Sequence, residues 1–255
     1  MKTIVVPVDF SEVSQNAVNY AADLAGLIGT NLALIHVLHI PVTFSEVPAT
    51  VYNMQELIDN AEEEVNKIRL SVFDKTDGKI TVHTKVVEGD IVSEIDRYCA
   101  SIDTYAVVMG AESANAFERF LFGGKTLTAM KELKWPIIVV PPDTHFKQLR
   151  KIGLACDFNN VIDTIPVKEI KRLVKEFEAE FHVVHVNTHS GDLLNPEQVE
   201  QSEWLHELIG DLKPKYDFIR GTDMEKSVCE FAEKNGLDLL IVIPKKHNII
   251  SDFFQ

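Results

Sequence analysis

Long hydrophobic runs, an excess of basic residues and cysteine are what this sequence has least of. No stretch approaches the ~18 consecutive apolar residues that a membrane-spanning helix needs. The apolar run that follows Met1 ends at Asp9, too short for the core of a secretory leader, so a soluble, cytoplasmic protein with no membrane partner is expected. Three cysteines (Cys99, Cys156, Cys229) form a sparse, odd set without C-x-x-C spacing. That excludes a disulfide framework and a cysteine zinc site, and fits buried thiols in a reducing compartment. Basic residues number 25 against 39 acidic, a formal charge of −14. Such a surface repels phosphate backbones, so no nucleic-acid partner is expected, though a local pocket for one small anion is compatible with it. What is present is ordinary for a globular chain: 255 residues, 45% hydrophobic and 25% charged, enough for a core. That length means one large domain or two of about 130 residues.

The chain repeats itself. The segment Ile4-Val5-Val6-Pro7-Val8-Asp9-Phe10-Ser11 is echoed by Ile152-Gly153-Leu154-Ala155-Cys156-Asp157-Phe158-Asn159, at an offset of 148. Leu34-Ile35-His36-Val37 is answered by Val183-Val184-His185-Val186, at 149. Tyr105-Ala106-Val107-Val108-Met109 is answered by Asp238-Leu239-Leu240-Ile241-Val242, at 133. The falling offset means that the second copy is about 15 residues shorter in its middle. Residues 41–53, rich in Pro, Thr and Ser, form the longer loop of the first copy. Pro141-Pro142-Asp143 stops a strand, which places the two domains at residues 1–142 and 148–255.

Short apolar runs alternate with helical patterns in each copy. In the first, strands are expected at residues 4–8, 32–38, 80–87, 105–109 and 136–140. Helices fall between them: one capped by Ser11 or Ser14 and ended by Gly29, then 54–73, 91–100 behind Asp90, and about 126–133. Near-continuous Val/Ile runs are the mark of strands buried on both faces, and strand–helix alternation implies parallel pairing. The fold class expected is α/β: two tandem Rossmann-like, doubly wound domains with parallel sheets.

Open parallel sheets take ligands at the C-terminal ends of their strands. That directs attention to Asp9, to Val37 and His39, and to the stretch after Gly110. This stretch runs Gly110-Ala111-Glu112-Ser113, nine residues, then Gly123-Gly124-Lys125-Thr126. Glycines between a strand and a helix let backbone N–H groups approach phosphate oxygens, and Lys125 and Thr126 add a cation and a hydroxyl. It is not a P-loop, because Arg119 stands where that motif needs its first glycine.

Val6-Pro7-Val8-Asp9-Phe10-Ser11, His36-Val37, Val108-Met109-Gly110 followed by Gly123, and Pro136-Ile137-Ile138-Val139-Val140 resemble the universal stress protein family in its tandem form. The resemblance implies a five-stranded parallel sheet and, in the family's ATP-binding branch, a Gly-x-x-Gly, nine residues, Gly-Ser/Thr motif. It implies ATP or another adenine nucleotide, with Mg accompanying it, in the first domain. Pro7, Asp9 and the Val37 backbone would hold adenine and ribose, while Met109, Gly110, Ser113, Gly123, Gly124, Lys125 and Thr126 would line the phosphate side. Two positions depart from the motif: Ser113 stands at its second glycine and Gly124 at its Ser/Thr. The Ser113 side chain either holds the backbone away from phosphate or donates a hydrogen bond itself.

The second copy keeps Asp157 but has Ile243-Pro244-Lys245-Lys246 where the first has Met109-Gly110-Ala111-Glu112. Residues 250–254 align with 117–121, so the counterpart of Gly123 would fall at 256, past Gln255. The second domain is therefore expected to lack the last helix and strand and to bind no triphosphate. His182 and His185, three apart on a strand, point to opposite faces. His185 and His189 could share a face and a metal, but a structural role is the expectation, and no metal site is expected. Asp9 and Asp157 read as ligand-binding or capping carboxylates, with no catalytic Ser-His-Asp or Cys-His set around them. Cys99 and Cys229 read as core thiols, Glu62-Glu63-Glu64 as a solvated helix face and Lys245-Lys246-His247 as a surface loop. Phe117, Phe120, Leu121 and Phe122, echoed by Phe253 and Phe254, are open to core packing or a protein interface.

Two functional expectations follow. The first is a stress-response regulator, not an efficient enzyme, that binds an adenine nucleotide in domain one and hydrolyses it slowly if at all. The second is a nucleotide-free interaction protein with an unknown protein partner, or a homodimer, formed through the fifth strand of domain one. A dehydrogenase is excluded, since no G-x-G-x-x-G follows the first strand.

Overall fold

A computed structural model describes residues 1–38, 54–111, 133–188 and 194–243. The chain divides into two compact units, Met1–Phe146 and Lys147–Gln255. The first runs β1 (Thr3–Pro7), α1 (Glu12–Ile28), β2 (Asn31–Leu38), α2 (Met54–Lys75), β3 (Val82–Glu88), α3 (Ile91–Ala100), β4 (Thr104–Gly110) and β5 (Ile137–Val140). Every strand pair is parallel, in the order β3-β2-β1-β4-β5. The expected loop at residues 41–53 and most of the expected helix at 126–133 lie outside the described residues.

β1 is central because its sequence leaves it no wet face. Ile4, Val5 and Val6 are all fully buried, and burying each side chain contributes about 1.5–3 kcal/mol. α1 packs closely on the sheet through a stripe that includes Ala17, Ala21 and Ala25, which keeps helix and strands near each other. Ser11, not Ser14, is its N-cap, accepting a hydrogen bond from the Ser14 N–H, and Gly29 closes it in the left-handed conformation (φ 63°) that glycine tolerates. On the other face, Val92, Ile95 and Cys99 of α3 pack against Val5, Ala33, Ile35, Val107 and Met109. The third strand begins two residues later than its hydrophobicity indicates. Ile80 is buried, but the ladder with β2 starts at Leu32–Val82 because Thr81 is still turning out of the preceding loop, its carbonyl accepting from Leu32 N.

The second unit runs β6 (Lys151–Ala155), α4 (Val161–Thr164), α5 (Val167–Phe177), β7 (Glu180–Asn187), α6 (Pro196–Ile209), a single 3-10 turn (Gly210–Leu212), β8 (Lys215–Arg220), α7 (Met224–Asn235) and β9 (Leu239–Ile241). Its sheet is parallel, with four strands among the described residues, ordered β8-β7-β6-β9. The helix that follows the first strand is 17 residues long in the first unit and broken into 4 and 11 residues in the second. Pro166 explains the break: it lacks an N–H and drives Ile165 out of the helical region, to φ −87° and ψ 119°. The repeat is nevertheless kept in its caps. Asp90 starts α3 and Asp223 starts α7, each accepting from the N–H three residues on. No helix among the described residues is long and apolar enough to cross a membrane.

The β7–β8 border of the second unit carries a charged cluster. His182, nearly buried, places Nδ1 2.7 Å from an Asp217 oxygen and Nε2 2.7 Å from a Glu180 oxygen. Lys215 Nζ sits 2.8 Å from the other Glu180 oxygen. The Lys215 ammonium first, and His182 second, hold the Glu180 carboxyl down at about 2, below its ordinary 4.5. A lowered carboxyl stabilises the fold above its ordinary value and loses that contribution as pH falls through the folded value.

Two outcomes are expected. Asp90→Ala, which removes a cap accepting from both Ser93 N and Ser93 Oγ, lowers the unfolding free energy of the first unit by about 1 kcal/mol, read from urea denaturation. The urea midpoint of the second unit falls as pH drops from 4.5 towards 2, and Glu180→Gln flattens that slope while leaving the pH 7–9 plateau level.

Candidate functional site

In the first sheet the strand order reverses at β1, which has β2 on one side and β4 on the other. A crevice therefore opens at the C-terminal ends of β1 and β4. Pro7 and Asp9 stand at its β1 side, Met109 and Gly110 at its β4 side, and Val37 at the end of β2. Five of the expected site residues, Ser113, Gly123, Gly124, Lys125 and Thr126, lie outside the described residues, as do His39, His189, Lys245-Lys246-His247, Phe117, Phe120, Leu121, Phe122, Phe253 and Phe254.

The corner between β1 and α1 is closely specified. Val8 N still donates to Ile35 O at 2.9 Å, carrying the ladder one residue past the strand. Asp9 Oδ1 then accepts from Ser11 N (3.1 Å) and from Ser11 Oγ (2.5 Å), while Asp9 N faces Ser14 Oγ at 3.4 Å. Folding the carboxylate back over Ser11 forces Phe10 between them into the left-handed region, φ 67°. A bulky residue there costs about 1–3 kcal/mol and persists only where its surroundings hold it. The Asp9 charge also lies at the start of α1, where the helix dipole favours an anion. Thus one Asp9 oxygen is committed to Ser11, the N-cap of α1.

His36 holds the corner from β2. A carbonyl can only accept, so His36 Nδ1 carries its proton and donates to Val8 O at 2.7 Å. Phe10 stacks on the imidazole, ring centroids 4.4 Å apart and planes 29° apart, and remains 41% exposed. In the sequence His36 and Phe10 stand out only as parts of the repeat and of the family resemblance. The recurrence of Asp-Phe with a His at nearly the same offset was the signal that pairs them.

Val37 and Met109 turn their side chains into the core beneath α3, so each offers the crevice main chain only. Gly110 is a glycine for a packing reason: a Cβ there would lie 2.4 Å from Val13 O and 2.6 Å from Val13 Cγ1. The end of β4 meets the first turn of α1 directly. The described half of the site thus presents a carboxylate, main-chain groups of β2 and β4 and an exposed aromatic face. That set suits the N–H and O–H groups and the flat ring of a nucleoside.

The second unit builds the same corner and fills it. Phe158 repeats the left-handed backbone (φ 53°), and His185 Nδ1 donates to Cys156 O at 2.9 Å. Both Asp157 oxygens accept from Asn159, from its N at 3.1 Å and its Nδ2 at 3.0 Å. α6 latches onto the loop: Gln198 Nε2 donates to Asp157 O (3.1 Å), and Gln201 Oε1 accepts from Val161 N (2.8 Å). Phe158 is fully buried, 5.2 Å from His185 and 6.1 Å from Phe218 by ring centroid.

Among the described residues no three His, Cys, Asp or Glu side chains are placed to hold a metal ion. Cys99 is buried on the inner face of α3, and burial pushes its thiol up to about 11, far from a nucleophilic thiolate at neutral pH. Gly110→Ala is expected to destabilise the first unit by about 1–3 kcal/mol through overpacking against Val13, measured as a lowered urea midpoint. An unchanged midpoint would show that the contact relaxes freely.

Comparison with known proteins agrees with this architecture. The profile of the universal stress protein family matches residues 1–141. A universal stress protein of Methanocaldococcus jannaschii is 28% identical over 141 residues, 54% of this chain and 81% of that protein. Among solved structures, a universal stress protein from Archaeoglobus fulgidus is similar with a TM-score of 0.71 at 20% identity, covering 94% of this chain and 86% of that one. Another, a universal stress protein solved in complex with cAMP, covers 55% of this chain and 96% of its own at 18% identity and a TM-score of 0.40. With a profile match across more than half of its length and the same doubly wound sheets, the chain belongs to the universal stress protein family.

Proposed function

We propose that the first unit binds an adenine nucleotide at the ends of β1, β2 and β4, and that the chain acts in the cytoplasm as a nucleotide-responsive regulator. The observation that carries this reading is the contrast between the two corners. The same Asp-Phe turn and the same histidine tie occur twice, yet Phe158 is sealed while Phe10 is left 41% exposed beside Asp9. A strained, solvent-facing ring beside a carboxylate is a costly surface to keep without a ligand. In this reading adenine and ribose lie against Asp9 and the Val37 main chain. The phosphates, with Mg, extend past Gly110 towards Ser113, Gly123, Gly124, Lys125 and Thr126.

At the described rim of the crevice one oxygen of the Asp9 carboxylate is already committed to Ser11. Any phosphoryl transfer would rest on positioning alone and would be slow, so regulation rather than turnover is the proposed role. A second reading, an interaction protein that dimerises through β5, is favoured by the position of that strand at the edge of the first sheet.

Calorimetry on the purified chain separates the two. One ATP per chain is expected, lost in Asp9→Ala and in Gly123→Val. No heat at millimolar ATP overturns the nucleotide reading, and two sites per chain overturn its restriction to the first unit. In the first case a dimeric mass by light scattering makes the interaction protein the function, and a strictly monomeric mass removes that one as well.

A further inference from the structure

The second unit leaves a tryptophan in solvent on α6. That helix turns Leu205 and Ile209, both fully buried, into the core, yet Trp204 is 41% exposed. The neighbours of Trp204 one turn away are Glu200, Gln201, Glu207 and Leu208. Gln201 accepts from Val161 N at 2.8 Å, so α4 lies along this flank, and the next residue of α4, Ile162, is 57% exposed. The charge around the tryptophan has one sign. Glu197, Glu200, Trp204 and Glu207 recur at steps of three, four and three, and so line one ridge of the helix, with Glu203 beside it. All four glutamates are exposed, and α6 carries no lysine or arginine. Among the described residues none of the four forms an ion pair, whereas Glu63 and Glu64 on α2 share Lys67. The lysines that α5 sends towards α6, Lys171 and Lys175, both end on Asp211 in the turn after it. Like charges one turn apart weaken a helix, and cations brought from outside relieve that repulsion.

We propose that this ridge, Trp204 between Glu200 and Glu207 with Ile162 beside it, is a docking surface for a cationic amphipathic helix of a partner protein. Trp204 is the apolar anchor, and Lys or Arg residues three or four apart on the partner meet the glutamates along the ridge. The surface is rigid before the partner arrives. Asn195 and Gln198 close a capping box at the start of α6, and Gln198 and Gln201 tie the helix to the loop after β6. Little order is therefore lost on binding. The same charge turns away nucleic acids and anionic lipid surfaces, which leaves a protein segment as the occupant. The ridge belongs to the second unit and does not rest on nucleotide binding by the first.

The test titrates the full chain into two fluorescently labelled helical peptides, read by anisotropy. One has leucine on one face and lysine on the other, and its counterpart has glutamate in place of every lysine. The lysine peptide is expected to bind and the glutamate peptide to stay free. Trp204→Ala and the double variant Glu200→Lys/Glu207→Lys are each expected to weaken binding about tenfold or more, as loss of an interface anchor does. The control is Glu62→Lys/Glu63→Lys on α2, which changes the net charge by the same amount and is expected to bind as the wild type does. Every side chain changed is exposed, so all variants should melt near the wild type. If Trp204→Ala melts far below it, the double charge reversal on α6 alone decides. Equal weakening by the α2 control means that the peptide senses net charge only, and overturns the proposal. So does wild-type affinity in the α6 variants, or a wild type that binds neither peptide or both alike.

Discussion

A parallel strand buried on both faces has to hand its chain to the next helix without leaving its last carbonyl dry and unpaired. In this protein that need is met in the same way twice. His36 donates to Val8 O, and His185 donates to Cys156 O, each from the neighbouring strand to the carbonyl just before the Asp-Phe pair. An unsatisfied buried carbonyl costs about 1–3 kcal/mol, so the histidine is part of the sheet as much as any ladder bond. Once it is in place, the aspartate can fold over the first turn of the helix, and the phenylalanine is forced to positive φ with its ring against the imidazole. The strand order and the tight seating of α1 against Gly110 then bring that corner to the rim of the crevice.

The two units show how one corner can serve two ends. In the second, α6 supplies Gln198 and Gln201 to tie down the loop, and β8 supplies Phe218 to complete the aromatic cluster, so the strand ends are packed with the chain's own side chains. In the first, the hydrogen bonds that α2 sends to α1 among the described residues both come from Lys75, at the far end of the helix from the crevice. The corner is fastened from below and left accessible above. A few substitutions off the repeat's shared motif are therefore enough to separate an open corner from a packed copy of it, because the shared motif fixes the backbone and the neighbours fix what lies over it.

Much of this was legible in the sequence, for reasons that can be traced to particular residues. The Ile4–Val8 and Ile152–Cys156 runs can only be strands buried on both faces, and their spacing from the next apolar runs leaves room for crossover helices and nothing else. Ser11, Gly29 and Asp90 mark helix ends through local hydrogen bonds, and local bonds are what sequence encodes directly. The break at Pro166 is equally local, but the helices on either side of it make it show only in the structure. The site was less legible. Asp9 stands out in the sequence by its place at a strand end and Gly110 by its place in the glycine pattern, while the packing demand that Val13 makes on Gly110 joins residues far apart in the chain.

What the sequence determined alone, then, was the doubly wound, tandem α/β plan and the positions of its corners. Periodicity, β-branched runs and caps act over a few residues and survive being read in one dimension. What only the tertiary structure decided was which corner is open. That depends on His36 facing Val86 while His185 faces Phe218, and on α6 reaching back some 40 residues to the loop after β6. Such juxtapositions are fixed by register and packing, which bring together side chains that no local spacing connects.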